Sequence, residues 1–216
     1  MHVASTTKST SKIGGQSPAT ARHDARSARA TRTRKAIADA MLSLIGEGVT
    51  TPTATDIARR TGTGVRTVFA HFGHMEDLYA EIIRRIEPQV AGLISPLDAR
   101  LDLVDRVHAV VDQRFAINAL IAPIRRAMRV NEYARSSPAI RDASRRLEYV
   151  LSRHASETFA AELHNQPDRY GVLERIAVHT SFEVWDHFVR VQRLPIARAR
   201  RHIVITVLRE FSDRLA

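Results

Sequence analysis

Two short helical patterns separated by the turn Gly62-Thr63-Gly64 constrain this chain more than any other feature. The first pattern covers about 54–61 and the second about 65–71. Three residues allow only a tight turn, so the two helices must cross at close range. Thr53 stands three residues before Asp56, which is the spacing of a capping box and predicts that the first of these helices begins there.

Apolar residues recur at helical spacing through the rest of the chain, and no alternating strand pattern is present. We expect Pro88 to end the helix that follows the crossed pair, and Pro123 to kink or split the next one. The sequence predicts an all-α protein of about nine helices. The expected helices begin and end near 33–45, 54–61, 65–71, 75–87, 104–130, 139–163, 168–192 and 196–215.

Length and composition allow one or two domains of a globular protein, since 216 residues contain 44% hydrophobic and 26% charged residues. No run reaches the roughly 18 apolar residues that a membrane span requires, and the first residues lack the apolar block of a secretory signal. The absence of cysteine excludes disulfides and thiolate metal sites. We therefore expect a cytoplasmic protein that contacts no membrane.

The net charge of +10 is concentrated at the N-terminus, where residues 1–35 hold eight Lys or Arg against one Asp. A focused positive charge indicates a polyanionic partner. The Ser, Thr, Ala and Gly content of residues 1–31 predicts a disordered basic tail. The alternative for its last part is that residues 26–35 lie along DNA phosphates or in a minor groove.

The segment from Ile57 to Leu78 resembles the signature of the TetR family of transcription regulators. The resemblance implies a three-helix helix-turn-helix DNA-binding domain at 32–74 and a helical ligand-binding and dimerisation domain at 75–216. Matching positions are Ile57, Ala58, Gly62, Thr67, Val68, Phe69, His71, Phe72, Glu76 and Leu78, with Ile37, Ala40, Leu44, Gly48 and Thr53 upstream. The departures from the family pattern are Gly64 for serine, Arg66 for glycine, Phe69 for tyrosine and Met75 for lysine.

The second crossed helix is expected to enter a DNA major groove, with its packing residues turned inward. Arg66 is predicted to contact guanine or phosphate; the alternative is an ordinary solvated arginine. His71 and His74 are three apart, as in some metal pairs, but their place in the motif favours DNA, and we expect no metal and no cofactor. The predicted DNA-binding residues are Arg34, Thr53, Val65, Arg66, Thr67, Phe69 and His71.

The last two helices carry apolar residues on more than one face, which one core does not readily hold. The resemblance implies that they form a homodimer that reads a palindromic duplex; the alternative is a monomer with a single core. The predicted interface residues are Phe182, Trp185, Val189, Ile203, Val204, Val207 and Phe211.

The resemblance also implies a cavity for a small apolar or amphipathic effector, whose binding releases a repressor from its operator. Each apolar candidate has plain core packing as its alternative. The candidate lining residues are Phe115, Asn118, Met128, His154, Phe182 and Trp185.

Two other functions remain open from the residues alone. His179, Ser181 and Glu183 cluster as in some hydrolases, but the serine points away from the other two on a helix, and no known catalytic motif is present. We therefore do not expect an enzyme. A basic protein that coats DNA without sequence preference is the second alternative.

Overall fold

The computed structural model describes residues 18–131, 137–164 and 166–212, and all regular structure in these ranges is helical. The prediction of an all-α protein is confirmed. The helices are α1 (Pro18–Gly46), α2 (Ala54–Thr61), α3 (Val65–Phe72), α4 (Met75–Gly92), α5 (Leu103–Val130), α6 (Pro138–Thr158), α7 (Ala160–His164), α8 (Arg169–His179), α9 (Phe182–Asp186, continued by a π-helix at His187–Val191) and α10 (Ile196–Ser212).

Helix α1 begins at Pro18, several helical turns before Ile37, the first buried apolar residue of the described chain. The prediction of a disordered tail is therefore wrong for residues 18–31, while residues 1–17 lie outside the described residues. The side chains of residues 22–32 are all exposed. This part of α1 is sustained by the high helix propensity of alanine and arginine rather than by core packing, which is why an apolar pattern could not find it.

The first three helices pack around one apolar cluster. Ile37 and Met41 of α1 are fully buried beneath Ile57 of α2 and Val68 of α3. The first half of α4 completes the cluster with Leu78, Tyr79 and Ile82, and the end of α5 adds Ile124 and Ala127. Because α4 contributes to this cluster, it is packed against the first three helices and also runs into the rest of the molecule.

Both internal prolines are accommodated without ending their helices. Helix α4 continues past Pro88 to Gly92, and α5 continues past Pro123 to Val130, so the expected end at Pro88 is wrong and α5 is not split. Pro88 lies on the exposed side of α4, where water can donate to the carbonyl of Arg84 in place of the missing N–H. Val90, two residues later, is buried and keeps the helix packed.

Two of the long C-terminal patterns are interrupted in the structure. Phe159, fully buried, leaves helical geometry between α6 and α7. Ser181 starts α9 by accepting a hydrogen bond from the Val184 N–H at 3.3 Å, which separates α9 from α8 at Thr180. Side-chain caps of this kind explain why one apolar pattern becomes two helices.

The second apolar cluster holds α5 to α10 together, and buried ion pairs fix its edges. Arg106 of α5 is 7% exposed and donates to the Thr158 carbonyl at 2.6 Å and to Glu162 at 2.5 Å. Asp186 of α9 is 1% exposed and accepts from Arg126 at 2.7 Å. No helix in the described ranges is long and apolar enough to cross a membrane.

Candidate nucleic-acid interface

Helices α2 and α3 are held at a fixed crossing by a small set of inward residues. Ile57 and Ala58 of α2 and Val68 and Phe72 of α3 are 4% exposed or less. Gly62 ends α2 with φ of 66°, a left-handed conformation that glycine adopts at no steric cost, and this allows the immediate turn into α3. The outer face of α3 is therefore presented on a rigid support.

The face of α3 opposite Val68 is open to solvent. Arg66 and Ala70 are exposed on this face, Phe69 beside them is 42% exposed, and Val65 at the start of the helix is 38% exposed. The Arg66 guanidinium makes no hydrogen bond or ion pair with any residue in the described part of the chain. An uncommitted arginine on an outward helix face can form the bidentate contact that guanine or phosphate offers.

Thr67 and His71 lie at the sides of this face and are half-buried. They flank the exposed residues rather than forming their centre. Of the seven predicted DNA-binding residues, Val65, Arg66 and Phe69 are thus the ones that α3 presents most openly.

Thr53 serves as the cap of α2, as the spacing to Asp56 predicted. Its hydroxyl accepts from the Asp56 N–H at 3.1 Å and donates to the Asp56 carboxylate at 2.5 Å. These hydrogen bonds from Thr53 lower the pKa of Asp56, whose carboxylate also accepts from the Thr53 N–H at 3.0 Å. A hydroxyl engaged in this way beside a carboxylate is poorly placed to donate to a phosphate.

Arg34 is committed to internal contacts. Its guanidinium donates to the main-chain carbonyl of His71, lies 3.4 Å from Glu81, and stacks 4.0 Å from the centroid of the Phe72 ring. Arg34 therefore joins α1 to the end of α3 and to α4. Arg34 thus has a bracing role that the sequence did not predict, while its side chain remains 39% exposed and its DNA contact stays a prediction.

The exposed start of α1 carries a row of arginines. Arg22, Arg26 and Arg29 follow one another at helical spacing, and Arg32 lies at the edge of the same side. None of the four guanidinium groups has a hydrogen-bond or ion-pair partner within the described ranges. Residues 18–32 extend about 20 Å from the packed part of α1, given the rise of a helix per residue. We name this row of four the arginine row.

A cavity of about 380 Å³ lies in the C-terminal domain between α4, α5, α6, α8 and α9. Three of the six predicted lining residues, Asn118, Met128 and Phe182, do line it. Phe115, His154 and Trp185 do not line this cavity. Phe115 and Trp185 belong to the apolar core, and His154 is buried with Nε2 3.0 Å from the Ser95 carbonyl oxygen. Burial lowers the pKa of His154.

Sequence reasoning missed Arg114, which also lines the cavity. Arg114 comes seven residues after Val107 and three before Ile117, both fully or almost fully buried. This spacing places Arg114 on the buried face of α5. A charged residue on a buried helix face is the pattern that could have identified it from the sequence.

The predicted dimer interface is corrected by burial within the single chain. Phe182, Trp185, Ile203, Val204, Val207 and Phe211 are each at most 8% exposed, and Val189 is half-buried. These residues form the core between α5, α9 and α10, so they have little surface left for a partner. Apolar residues of α8 to α10 that do face solvent include Val178, Val191, Ile196 and Ile205, at 60%, 58%, 53% and 43% exposure.

The three residues of the possible hydrolase cluster serve separate structural contacts. His179 lies 3.5 Å from Glu210, Ser181 caps α9, and Glu183 lies 3.5 Å from Arg129. No hydrogen bond joins the serine to the histidine. Within the described ranges no group of three or more His, Asp or Glu residues could hold a metal ion.

No protein-family model matches the chain, and no curated protein matches its sequence. Two solved structures are similar to it. A transcriptional regulator from Rhodococcus sp. Rha1 superposes with a TM-score of 0.64 at 16% identity, covering 85% of this chain and 96% of that one. A protein assigned to the TetR family of transcriptional regulators, from Mesorhizobium loti MAFF303099, gives a TM-score of 0.59 at 17% identity, covering 85% and 97%. The chain therefore has the all-helical fold of TetR-family regulators.

Proposed function

We propose that the chain is a sequence-specific DNA-binding transcription regulator. The observation that carries the proposal is the outward face of α3, where Arg66 is exposed and without a partner among the described residues while Val68 and Phe72 anchor the same helix. A braced helix with an open outward face is the form in which helix-turn-helix proteins read the major groove. The fold shared with the two regulators supports this function.

The charge of the N-terminal region supports a polyanionic partner. Residues 22–74 contain nine Lys or Arg against four Asp or Glu. Five of the nine, Arg66 and the four arginines of the arginine row, belong to the surfaces already described and have no ion pair within the described ranges. Unpaired cations attract phosphate and release counterions when they bind it.

The proposal includes a homodimer that places two copies of α3 on one palindromic duplex. The candidate contact surface is the exposed apolar part of α8 to α10, with Val178, Val191 and Ile205. Helices α9 and α10 are adjacent, since the Phe188 and His202 rings stack with centroids 5.8 Å apart. Two recognition helices about one DNA turn apart, roughly 34–36 Å, would match two half-sites.

The proposal also includes release from DNA by a small-molecule effector. Two residues separate the end of α3 from the start of α4, and α4 supplies Ile83, Ile86 and Val90 to the cavity wall. A ligand that binds the cavity better in one position of α4 would shift the position of α3. A coupling of roughly 1–3 kcal/mol would change the DNA affinity about 5- to 150-fold. We further propose that the chain acts as a repressor in the cytoplasm and is not an enzyme.

The test is selection of bound duplexes from a random pool by the wild-type protein, followed by titration of the selected site. Arg66→Ala should weaken binding to that site by about 1–3 kcal/mol and relax the preference at one base pair of each half-site. Arg59→Ala is the matched control, since Arg59 is an exposed arginine of α2 that pairs with Asp56 at 3.4 Å. Enrichment of no sequence, or equal binding by wild type and Arg66→Ala, would contradict the proposal.

The arginine row favours one alternative, a protein that coats DNA without sequence preference. The two functions predict different results when random duplex competes with the selected site. A regulator retains its selected site in the presence of excess random duplex, whereas a coating protein is displaced by it.

A further inference from the structure

The cavity in the C-terminal domain is apolar over most of its wall. Branched residues from four helices face it, and Ile86, Val90, Ile117, Ile121, Leu147 and Ile176 are examples. Its volume of about 380 Å³ lies in the range of small-molecule sites. Such a wall favours a ligand whose body is hydrocarbon or aromatic.

Arg114 places a positive charge inside this wall. The residue is 3% exposed. One terminal nitrogen, Nη2, donates to the Leu151 carbonyl at 2.7 Å, whereas Nη1 is buried and has no hydrogen-bond partner. Burial lowers the pKa of Arg114 to about 10, partly offset by the charge of Glu148, so the side chain stays protonated near neutral pH. The cavity therefore contains a cation with an unused donor.

No carboxylate of the described chain lies within ion-pair distance of Arg114. Of the other charged residues that line the cavity, Glu87, Arg146, Glu148 and Glu183 are exposed, and Arg125 is half-buried. Arg146 pairs with Glu87 at 2.7 Å, and Arg125 lies 3.8 Å from Glu183. A buried cation without a counterion is costly, and proteins normally supply a partner for it. Glu148 acts on Arg114 only from beyond ion-pair distance, so the guanidinium lacks one negatively charged partner in direct contact.

The rim limits how much negative charge a ligand can carry. Glu87, Glu148 and Glu183 are exposed carboxylates that line the cavity. They disfavour polyanions such as nucleotides, and the apolar wall offers few groups to solvate additional charges. A planar guanidinium, in contrast, fits a single carboxylate well.

We propose that the cavity binds an organic monocarboxylate with an apolar body, and that the carboxylate pairs with Arg114. The binding itself is independent of DNA, and its role as the signal for release rests on the function proposed above. Arg114 acts as the specificity residue of the site, while the branched residues of α4, α5 and α8 hold the hydrocarbon part.

Calorimetric titration of the purified full chain tests this proposal with two pairs of probes, decanoate against 1-decanol and 4-phenylbutyrate against 4-phenyl-1-butanol. Within at least one pair, the wild type should bind the carboxylate about tenfold or more tightly than the alcohol, as a charge-assisted hydrogen bond provides. Arg114→Gln should lose this preference and still bind the alcohol within about twofold, and Arg114→Lys should retain a preference. Arg145→Gln, which removes the same charge from an exposed position of α6 that does not line the cavity, is the control and should keep the wild-type preference.

Three results would overturn the proposal: no carboxylate binding at millimolar concentration, equal affinity for acid and alcohol in both pairs, or an unchanged preference in Arg114→Gln. Circular dichroism checks the fold of each variant, and Arg114→Lys keeps the test valid if the glutamine variant is unfolded. DNA binding is measured on the same protein without probes. Carboxylate binding without operator binding would contradict the proposed function alone, and the reverse result would contradict only this inference.

Discussion

The guanidinium of Arg34 lies 4.0 Å from the centroid of the Phe72 ring, so one side chain of α1 closes over the last residue of α3. The same guanidinium donates to the His71 carbonyl and approaches Glu81 of α4. The position of the candidate recognition helix therefore depends on a residue outside the crossed pair.

Arg34→Ala should lower the free energy of unfolding by about 1–2 kcal/mol, because the variant lacks a charge-assisted hydrogen bond and a cation–π interaction at a partly exposed site. Arg32→Ala is the matched control, since it removes the same charge from the exposed side of α1, where the Arg32 side chain has no partner among the described residues. Urea unfolding of both variants measures the difference. Equal stability of the two variants would show that the bracing interactions contribute nothing.

Replacing Arg22, Arg26 and Arg29 together with glutamine should reduce the salt dependence of DNA binding. The slope of log affinity against log salt should become less steep by about 0.9 for each phosphate that the variant no longer neutralises. The control is Gln at Arg100, Arg145 and Arg153, which removes the same charge from exposed positions far along the chain. Identical slopes for the two triple variants would mean that the arginine row does not contact the duplex.

The buried carboxylate of Asp186 predicts a defined pH dependence of stability. Burial alone would raise its pKa, but hydrogen bonds from Arg126 and Arg190 outweigh burial and the pKa of Asp186 is lowered. A lowered pKa means that the ion pairs stabilise the fold above the unfolded-state pKa of about 4, and that this stability is lost as the pH falls through the folded-state pKa.

Asp186→Asn should therefore lower the free energy of unfolding by about 1–3 kcal/mol at pH 7, and the difference from wild type should shrink below about pH 4. Asp112→Asn, in an exposed pair with Arg200, should change stability by less than about 1 kcal/mol. Thermal unfolding between pH 3 and pH 8 compares the three proteins. A gap between Asp186→Asn and wild type that stays constant with pH would refute the assignment.

Val178→Asp should convert the proposed dimer to a monomer, because it places a charge on the exposed apolar part of α8. Val104→Asp is the control, as Val104 is a 47% exposed valine at the start of α5. Light scattering coupled to size-exclusion chromatography measures the molar mass of the two variants and of the wild type. A dimeric Val178→Asp, or a monomeric wild type, would rule out this surface as the interface.

The crossed helices could be predicted because each constraint on them is local. The Thr53–Asp56 cap, the turn at Gly62 and the inward pair Val68 and Phe72 all follow from spacing alone, and the structure has them where the sequence places them. The long start of α1 could not be found in this way, since arginines and alanines with no apolar face produce no periodic signal.

The C-terminal interface residues could not be predicted for a different reason. Apolarity marks Phe182 and Val207 as residues that avoid water, but it does not distinguish the chain's own core from a partner's surface. Only the packing of α5 against α10 shows that these residues are already covered. Arg114 gives no apolar signal of its own, so only its place on the buried stripe of α5 could mark it.

The arginine row places like charges three and four residues apart on a helix that has no core beneath it. Repulsion within each such pair destabilises the helix by a few tenths of a kcal/mol, and only screening ions offset that repulsion in solution. The phosphates of a DNA backbone would pair with the same arginines and neutralise their charges. The helical content of residues 22–32 should therefore rise with ionic strength and rise further on a duplex, so that assembly with DNA and ordering of the first turns of α1 become a single coupled event.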